Sequence, residues 1–314
     1  MSLDAAITPE RSGLARSLSD ALWRRPRLLI LLMLIPPALW LGIVYLGSLF
    51  SLLVQSFFSI DEYSGLVRYE LTLKTYRELL GPANLDIIVR TASMAALVTV
   101  AAAVVAFPIA YYAARYARGR WKALFYLGVM LPLWSSYLVK IYAWKLILAK
   151  EGILNWLFAK LHLTWLLEAY LSVPLIGGNS LSVSYTGTFL VFLYVWLPFM
   201  ILPTQAALER VPASVIEASS DLGAHPLQTL RHVLLPLALP GLIAGSISTC
   251  SLTLGDYIIP QIIGSSRLFI GQAVYSHQGT AGNIPLAAAF AVVPIVIMGF
   301  YLWMAKRQGA FDAL

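Results

Sequence analysis

Charged side chains are scarce in this chain of 314 residues. Asp, Glu, Lys and Arg make up 12% of the residues, whereas 59% of the residues are hydrophobic. Soluble domains carry roughly 25% charged residues, so this chain has too little polar surface to stay in water. The composition predicts an integral membrane protein.

Motifs that carry chemistry are also missing from the sequence. It has no Gly-Lys dipeptide, which excludes a phosphate-binding P-loop, and neither a His-Glu-x-x-His zinc motif nor a Gly-x-Ser-x-Gly nucleophile elbow. The four histidines are dispersed, and the one cysteine, Cys250, cannot form an intrachain disulfide. We therefore predict a chain without a catalytic site, a metal or a cofactor of its own.

Long apolar segments are what the chain has in abundance. A helix needs roughly 20 residues at 1.5 Å each to cross about 30 Å of hydrocarbon. Six segments are long enough: 28–56, 89–114, 121–148, 185–208, 234–259 and 285–305. All six contain proline, which is tolerated better in a membrane bundle, where neighbouring helices can satisfy the freed carbonyl groups, than in an isolated soluble helix. The sequence thus predicts an all-α membrane protein with six transmembrane helices.

Lysines and arginines between the spans set the expected orientation. The N-terminal arm, residues 1–27, has five arginines, and the connector between the second and third spans has three arginines and one lysine but no acid. Cytoplasmic connectors are enriched in such residues. We expect both termini in the cytoplasm, a transmembrane domain over 28–306 with a cytoplasmic loop at about 209–233, and a short tail over 307–314. The net charge of +7 lies in these connectors and does not indicate nucleic-acid binding.

The loop 209–233 carries a helical pattern of its own. Pro212 suits a first helical position, and Gly223 suits a left-handed helix end. One face would carry Val215, Ile216, Ser219 and Leu222, and the other Glu217, Ser220 and Asp221. Pro226 can open a second helix that leads into the fifth span. The pattern predicts a helix, an elbow and a second helix that can pass a push to a membrane span; an amphipathic linker on the membrane surface is the alternative.

This loop resembles the EAA loop of binding-protein-dependent ABC importer permeases. The family pattern is Glu-Ala-Ala, three residues, Gly, nine residues, Ile-x-Leu-Pro, and the matching residues here are Glu217, Ala218, Ser219, Gly223, Val233, Leu235 and Pro236. Ser219 replaces an alanine and Val233 an isoleucine, but the spacing is intact. Several residue types agree over twenty positions in the expected loop, which makes the match strong.

Three other regions resemble spermidine/putrescine permeases: 131–144 with 151–155, 197–203 and 253–260. Lys140 replaces an arginine that is common in that family. The resemblance covers about residues 25–312 and implies a type I ABC importer permease in the bacterial inner membrane. The implied substrate is a small organic cation, a polyamine first of all. γ-Aminobutyrate, an opine or another small nitrogen compound stays open.

The resemblance also implies partners and residue roles. The partners would be a second permease subunit, a dimer of ATPase subunits that binds ATP and Mg, and a periplasmic or lipid-anchored solute-binding protein. Glu217 and Ala218 would dock in a cleft of the ATPase, and Gly223 would provide the turn after their helix. The expected coupling site is Glu217, Ala218, Ser219, Asp221, Gly223, Leu235 and Pro236.

Asp256 is the one acid deep in an apolar segment. An aspartate at a helix centre costs roughly 2.5–3.5 kcal/mol on insertion scales, so it should face a cavity or a partner. For a cationic substrate, Asp256 could lie on the path, and Tyr257 could add a cation–π contact. The alternatives are that Asp256 pairs with Lys140 or Lys145, or caps a kink beside Gly255.

Aromatic residues crowd the outer part of the third predicted span: Trp134, Tyr137, Tyr142 and Trp144. Trp134 and Tyr142 are further candidates for the substrate path. An interfacial aromatic belt or ordinary packing is the alternative for all four residues.

Two other protein classes make different predictions. An ion-coupled carrier would have inverted repeats, broken helices and ionisable residues at the membrane midplane, and the sequence shows no internal repeat. A membrane-embedded enzyme would need a cluster of reactive residues, which the sequence does not contain. Adjacent genes for an ATPase, a second permease and a secreted binding protein would exclude both classes.

Overall fold

A computed structural model describes residues 23, 26–61, 63–174 and 176–307. Within them, five helices are long and apolar enough to cross a membrane: Leu29–Gln55, Pro82–Arg115, Tyr185–Arg210, Pro226–Gly255 and Ile284–Arg307. Two further helices, Arg120–Trp134 and the one that starts at Tyr137, meet at a bend of 96° and can form one more span. With that pair as the third span, the predicted all-α class with six spans is confirmed. The predicted arm and tail lie largely outside the described residues.

The chain forms two compact units, Met1–Gln55 and Ser56–Leu314. The first unit contains the first span, in which the helix Pro26–Leu39 continues through a π-helical stretch, Trp40–Leu46, into the helix Gly47–Gln55. Pro36 and Pro37 lie just before the π-helical stretch. Because proline lacks an N–H, it disrupts the regular hydrogen-bond ladder of the helix, and π-helical turns are one way to accommodate such a disruption.

The second unit contains the other spans and several short elements between them. A small antiparallel hairpin pairs strand Ser59–Ile60 with strand Val67–Arg68. The remaining elements are the helices Lys74–Leu79, Tyr137–Leu148, Ile153–Lys160, Thr164–Leu171, Ala213–Asp221, Ile258–Ile262 and Ile270–Gly279, and the 3-10 turn Leu181–Val183.

The second, fourth and fifth spans pack against one another as the centre of this unit. The second span contributes a buried face of small residues: Ala95, Ala102, Ala106, Ala110 and Ala113. On the fifth span, a Cβ at Gly241 would lie 2.4 Å from the carbonyl oxygen of Pro203, and one at Gly245 would lie 2.8 Å from the sulfur of Met200. These glycines form a Gly-x-x-x-Gly motif, which lets helix backbones approach closely in membranes. This motif is not among the features predicted from the sequence.

The third span is not the continuous helix 121–148 that the sequence predicts. Its first helix ends at Trp134, Ser135 has an extended backbone, and the next helix begins at Tyr137. Pro132 lies inside the first helix, one turn before this break. The freed carbonyl oxygen of Pro132 accepts hydrogen bonds from the Ser135 hydroxyl at 3.0 Å and the Lys140 ammonium at 2.6 Å. The break is thus stabilised by polar side chains of the same segment.

Two other spans have different ends from those predicted. The second span starts at Pro82 rather than near residue 89, because Pro82 opens the helix and the charged Asp86 and Arg90 pair along it one turn apart. The fifth span ends at Gly255 rather than 259, because the backbone of Asp256 is extended. The helix from Pro226 runs into the fifth span, as predicted.

Candidate functional site

The loop 209–233 folds into the predicted helix and elbow. Pro212 precedes the helix Ala213–Asp221 as its N-cap, one position before the predicted one. Gly223 has φ +79°, and its N–H donates to the Ser220 carbonyl at 2.9 Å, while the Ala224 N–H donates to the Ser219 carbonyl at 3.1 Å. These two bonds form a Schellman helix end, whose left-handed position favours glycine.

The elbow leads from this helix, through a short turn, into a continuous helical segment that becomes the fifth span. His225 caps the segment Pro226–Thr229, and its N–H donates to the side chain of Gln228 at 2.9 Å. A π-helical turn, Leu230–Leu234, then continues into the helix that begins at Leu235. The hydroxyl groups of Ser219 and Thr229 lie 2.9 Å apart and share a hydrogen bond across the elbow. Ser219, where this chain departs from the family alanine, therefore adds a bond that an alanine could not form.

One side of the helix Ala213–Asp221 is exposed. Glu217, Ala218 and Asp221 are exposed, and 89% of the surface of Leu222 at the elbow is exposed. On the other side, Ile216 packs against an apolar cluster of Ala110, Leu208, Val211, Leu234 and Ala238. Of the predicted coupling residues in this helix, Glu217, Ala218 and Asp221 are thus exposed together, whereas Ser219 is half-buried against Thr229. Leu235 and Pro236 belong to the start of the long helix beyond the π-helical turn.

A side-chain cluster that was not predicted from the sequence lies at the entrance to this loop. Glu209, near the end of the fourth span, accepts hydrogen bonds from Lys122, Tyr126 and Gln205. The spacing of four residues between Gln205 and Glu209 was the one available signal, since it places both side chains on one helix face. The contacts of Lys122 and Tyr126 come from the third span, and no local pattern indicates them.

The carboxylate of Asp256 is occupied by hydrogen-bond donors of the protein. Its Oδ1 accepts from the backbone N–H groups of Ile258 at 2.8 Å and Ile259 at 3.1 Å, and its Oδ2 accepts from the hydroxyl of Tyr137. Asp256 forms no salt bridge within the described part of the chain, so the structure does not show the alternative in which it pairs with Lys140 or Lys145. The contacts match the alternative in which Asp256 caps a kink beside Gly255.

The hydrogen bond between Tyr137 and Asp256 joins two helix breaks. Tyr137 begins the second half of the third span, and Asp256 follows the end of the fifth span. Lys140 and Asp256 therefore serve similar purposes at these breaks. The lysine satisfies a carbonyl at a helix end, and the aspartate satisfies N–H groups at a helix start.

The other residues predicted for the substrate path, Tyr257, Trp134 and Tyr142, form no ring–ring contact with one another in the described structure. Tyr257 stacks on Tyr275, with ring centroids 5.2 Å apart and an interplanar angle of 8°. Trp134 and Tyr142 lie on opposite sides of the break in the third span and are 74% and 53% exposed. The substrate-path role of Asp256, Tyr257, Trp134 and Tyr142 stays a prediction.

Comparisons with known proteins show to which family this chain belongs. The family described as "Binding-protein-dependent transport system inner membrane component" matches residues 106–309. The inner membrane ABC transporter permease protein YdcU of Escherichia coli (strain K12) is 55% identical over 314 residues, which is 100% of both chains. The spermidine/putrescine transport system permease protein PotB of the same organism is 28% identical over 273 residues, covering 85% of this chain and 94% of PotB.

Two solved structures share the fold at low sequence identity. One is a bacterial ABC transporter involved in the import of the acidic polysaccharide alginate, with a TM-score of 0.66, 16% identity, and coverage of 93% of this chain and 99% of the other. The second is the alginate transporter in complex with an alginate pentasaccharide-bound periplasmic protein, with a TM-score of 0.68, 15% identity, and coverage of 92% and 97%. Broken helices alone would also fit an ion-coupled carrier, but the family match excludes both that class and an enzyme. The chain belongs to the binding-protein-dependent ABC importers as a non-catalytic, inner membrane permease subunit.

Proposed function

We propose that this chain forms half of a translocation path and receives the motion of a separate ATPase through the loop 209–233. The supporting observation is the joint between the exposed helix Ala213–Asp221 and the fifth span. The left-handed turn at Gly223 and the hydrogen bond between Ser219 and Thr229 hold this joint in one geometry. A displacement of the helix is therefore passed to the fifth span rather than absorbed in a linker.

The proposed assembly has the partners that the resemblance implies. A related permease would complete the path, two ATPase subunits would bind ATP and Mg, and a periplasmic or lipid-anchored binding protein would deliver the substrate. The similarity to a transporter solved with its periplasmic protein supports this arrangement at the level of the fold.

The proposed substrate is a small organic cation, namely a polyamine such as putrescine or spermidine. Support comes from PotB, a spermidine/putrescine permease that matches 85% of this chain. Much of the selection in such importers lies in the binding protein, so the sharpest test measures ligand binding by the cognate binding protein. We expect at least about tenfold tighter binding of a polyamine than of γ-aminobutyrate, a difference of about 1.4 kcal/mol. Tighter binding of γ-aminobutyrate would contradict the polyamine assignment and leave the importer assignment intact.

The proposed orientation places the loop 209–233 and both termini in the cytoplasm. In a Cys250→Ala background, a cysteine at Arg118 should be shielded from an impermeant thiol reagent in intact cells, and one at Ser64 should be labelled. Both positions are exposed, and Arg118 avoids the neighbouring Gly119, whose φ of +55° disfavours a side chain. Labelling at position 118 with protection at position 64 would invert the topology. Permeabilised cells, in which both cysteines should react, provide the control.

A further inference from the structure

The Glu209 cluster, formed by Lys122, Tyr126, Gln205 and Glu209, joins two spans through one oxygen atom. Oε1 of Glu209 accepts from Lys122 Nζ at 2.8 Å, the Tyr126 hydroxyl at 3.1 Å and Gln205 Nε2 at 3.2 Å. Gln205 and Glu209 belong to the last turns of the fourth span, and Lys122 and Tyr126 to the first turns of the third. Hydrogen bonds to a charged acceptor are stronger than neutral ones and fix the geometry more tightly.

A second contact holds the same end of the loop. Arg115, the last residue of the second span, donates from Nη2 to the carbonyl oxygen of Val211 at 2.7 Å. Val211, between the fourth span and the helix Ala213–Asp221, is 6% exposed. The connector 116–119 leads directly from Arg115 to the third span and turns at Gly119. The end of the second span and the start of the third span therefore both form hydrogen bonds with the chain where it enters the loop.

The covalent chain connects the loop only to the fourth and fifth spans. The third span instead contacts the last turns of the fourth span, where the chain enters the loop, and among the described residues the Glu209 cluster contributes the charged part of that contact. The side chains of Lys122 and Glu209 are 36% and 31% exposed, so their ion pair is partly shielded from solvent. An isolated exposed ion pair contributes little, but a pair with two further donors on one oxygen is a network.

We propose that Glu209 and Lys122 are positioning residues that make the third span move with the helix Ala213–Asp221. Through them, displacement of that helix reaches the break at Ser135 as well as the fifth span. This inference rests on the proposed coupling role of the loop and adds a second route from the loop into the membrane. A movement of the ATPase would then displace the third span as well as the fifth.

A charge swap tests this inference in the complete transporter, reconstituted with its ATPase, second permease and binding protein. Lys122→Glu and Glu209→Lys each place two like charges in contact. We expect each single variant to lose about fivefold or more of the binding-protein-stimulated ATP hydrolysis and uptake per intact complex, the change that about 1 kcal/mol produces. The double variant restores an ion pair, and the Tyr126 hydroxyl and Gln205 amide can accept hydrogen bonds from the new lysine. Its stimulation should return to within about twofold of wild type, as expected for a directly coupled pair.

Arg118→Glu is the matched control for Lys122→Glu, because it makes the same change of charge at an exposed position of the connector between the second and third spans. It should leave stimulation unchanged. Normal stimulation in both single variants, or a swap no better than the singles in intact complexes, overturns the inference. If the single variants fail to assemble, the double variant and Tyr126→Phe provide the test. Near-normal stimulation in the double variant, together with a loss in Tyr126→Phe that is smaller than the loss expected for the single variants, supports the inference. A poorly stimulated double variant overturns it. If Glu217→Ala loses stimulation while Lys122→Glu and Glu209→Lys keep it, only this inference is overturned. If all three variants keep normal stimulation, the proposed coupling role of the loop is overturned as well.

Discussion

Replacing Gly223 by proline is expected to abolish substrate-stimulated ATP hydrolysis while the chain still inserts in the membrane. Gly223 has φ +79°, and proline fixes φ near about −65°. The substitution also removes the N–H that donates to the Ser220 carbonyl. The Schellman end cannot form, so the exposed helix would no longer be held to the fifth span. The measurement is ATP hydrolysis by the reconstituted transporter with and without loaded binding protein.

A graded series separates backbone conformation from crowding at this position. A Cβ built on Gly223 meets no atom within 4 Å, so a side chain has space there. Alanine carries a cost of roughly 1–2 kcal/mol for the left-handed conformation, and asparagine tolerates that conformation better. Stimulation should therefore fall in the order Gly, Asn, Ala, Pro. Equal loss in Asn, Ala and Pro would show that any side chain at this position is harmful, whatever its conformational preference, and would contradict the argument from φ.

Glu217→Ala tests the exposed side of the same element. The side chain of Glu217 is exposed and makes no hydrogen bond or ion pair with the described residues, so its loss should not affect insertion or thermal stability. Loss of stimulation with normal insertion would therefore locate the defect in the contact with the ATPase. Full stimulation in Glu217→Ala would contradict the proposed docking role, whatever Gly223→Pro shows.

The sequence predicts the loop well because its structure depends on local rules. Gly223 occupies a position that favours a residue able to adopt positive φ, and Pro226 opens a helix because its missing N–H has no partner in the first turn. Both signals can be read within a few residues. The resemblance to the EAA loop then adds a role to a shape that the residues already indicate.

The interior of the membrane domain is predicted less well because tertiary contacts decide it. Hydropathy cannot show that the third span breaks at Ser135, since both halves are apolar and Lys140 appears as an isolated charge. In the structure, Lys140 compensates for the carbonyl of Pro132 across that break. Glu209 was missed for the same reason, because its partners Lys122 and Tyr126 are more than eighty positions away along the chain.

Asp256 offers the second large effect, and its contacts predict different results for two substitutions. Asp256→Ala would leave the N–H groups of Ile258 and Ile259 and the hydroxyl of Tyr137 without their acceptor. Loss of an N-cap costs about 0.5–2 kcal/mol, and each buried donor left unpaired costs about 1–3 kcal/mol. We expect a large fall in the yield of intact complex and a corresponding loss of uptake.

Asp256→Asn separates the capping role from attraction of a cationic substrate. The amide oxygen can still accept from the two N–H groups, and the amide NH₂ can donate to the Tyr137 oxygen. If Asp256 acts as a cap, assembly and uptake should both stay near normal. If it attracts a cation, uptake should fall although assembly is normal, and the loss should be greater for spermidine than for putrescine because Coulomb attraction grows with ligand charge. Tyr137→Phe is the matched control, since it removes one donor to the same carboxylate and keeps the ring that stacks on Trp196. A loss of tenfold or more in the uptake by intact Asp256→Asn complexes, about 1.4 kcal/mol, would refute the capping role as the main function of Asp256 and support its place on the substrate path.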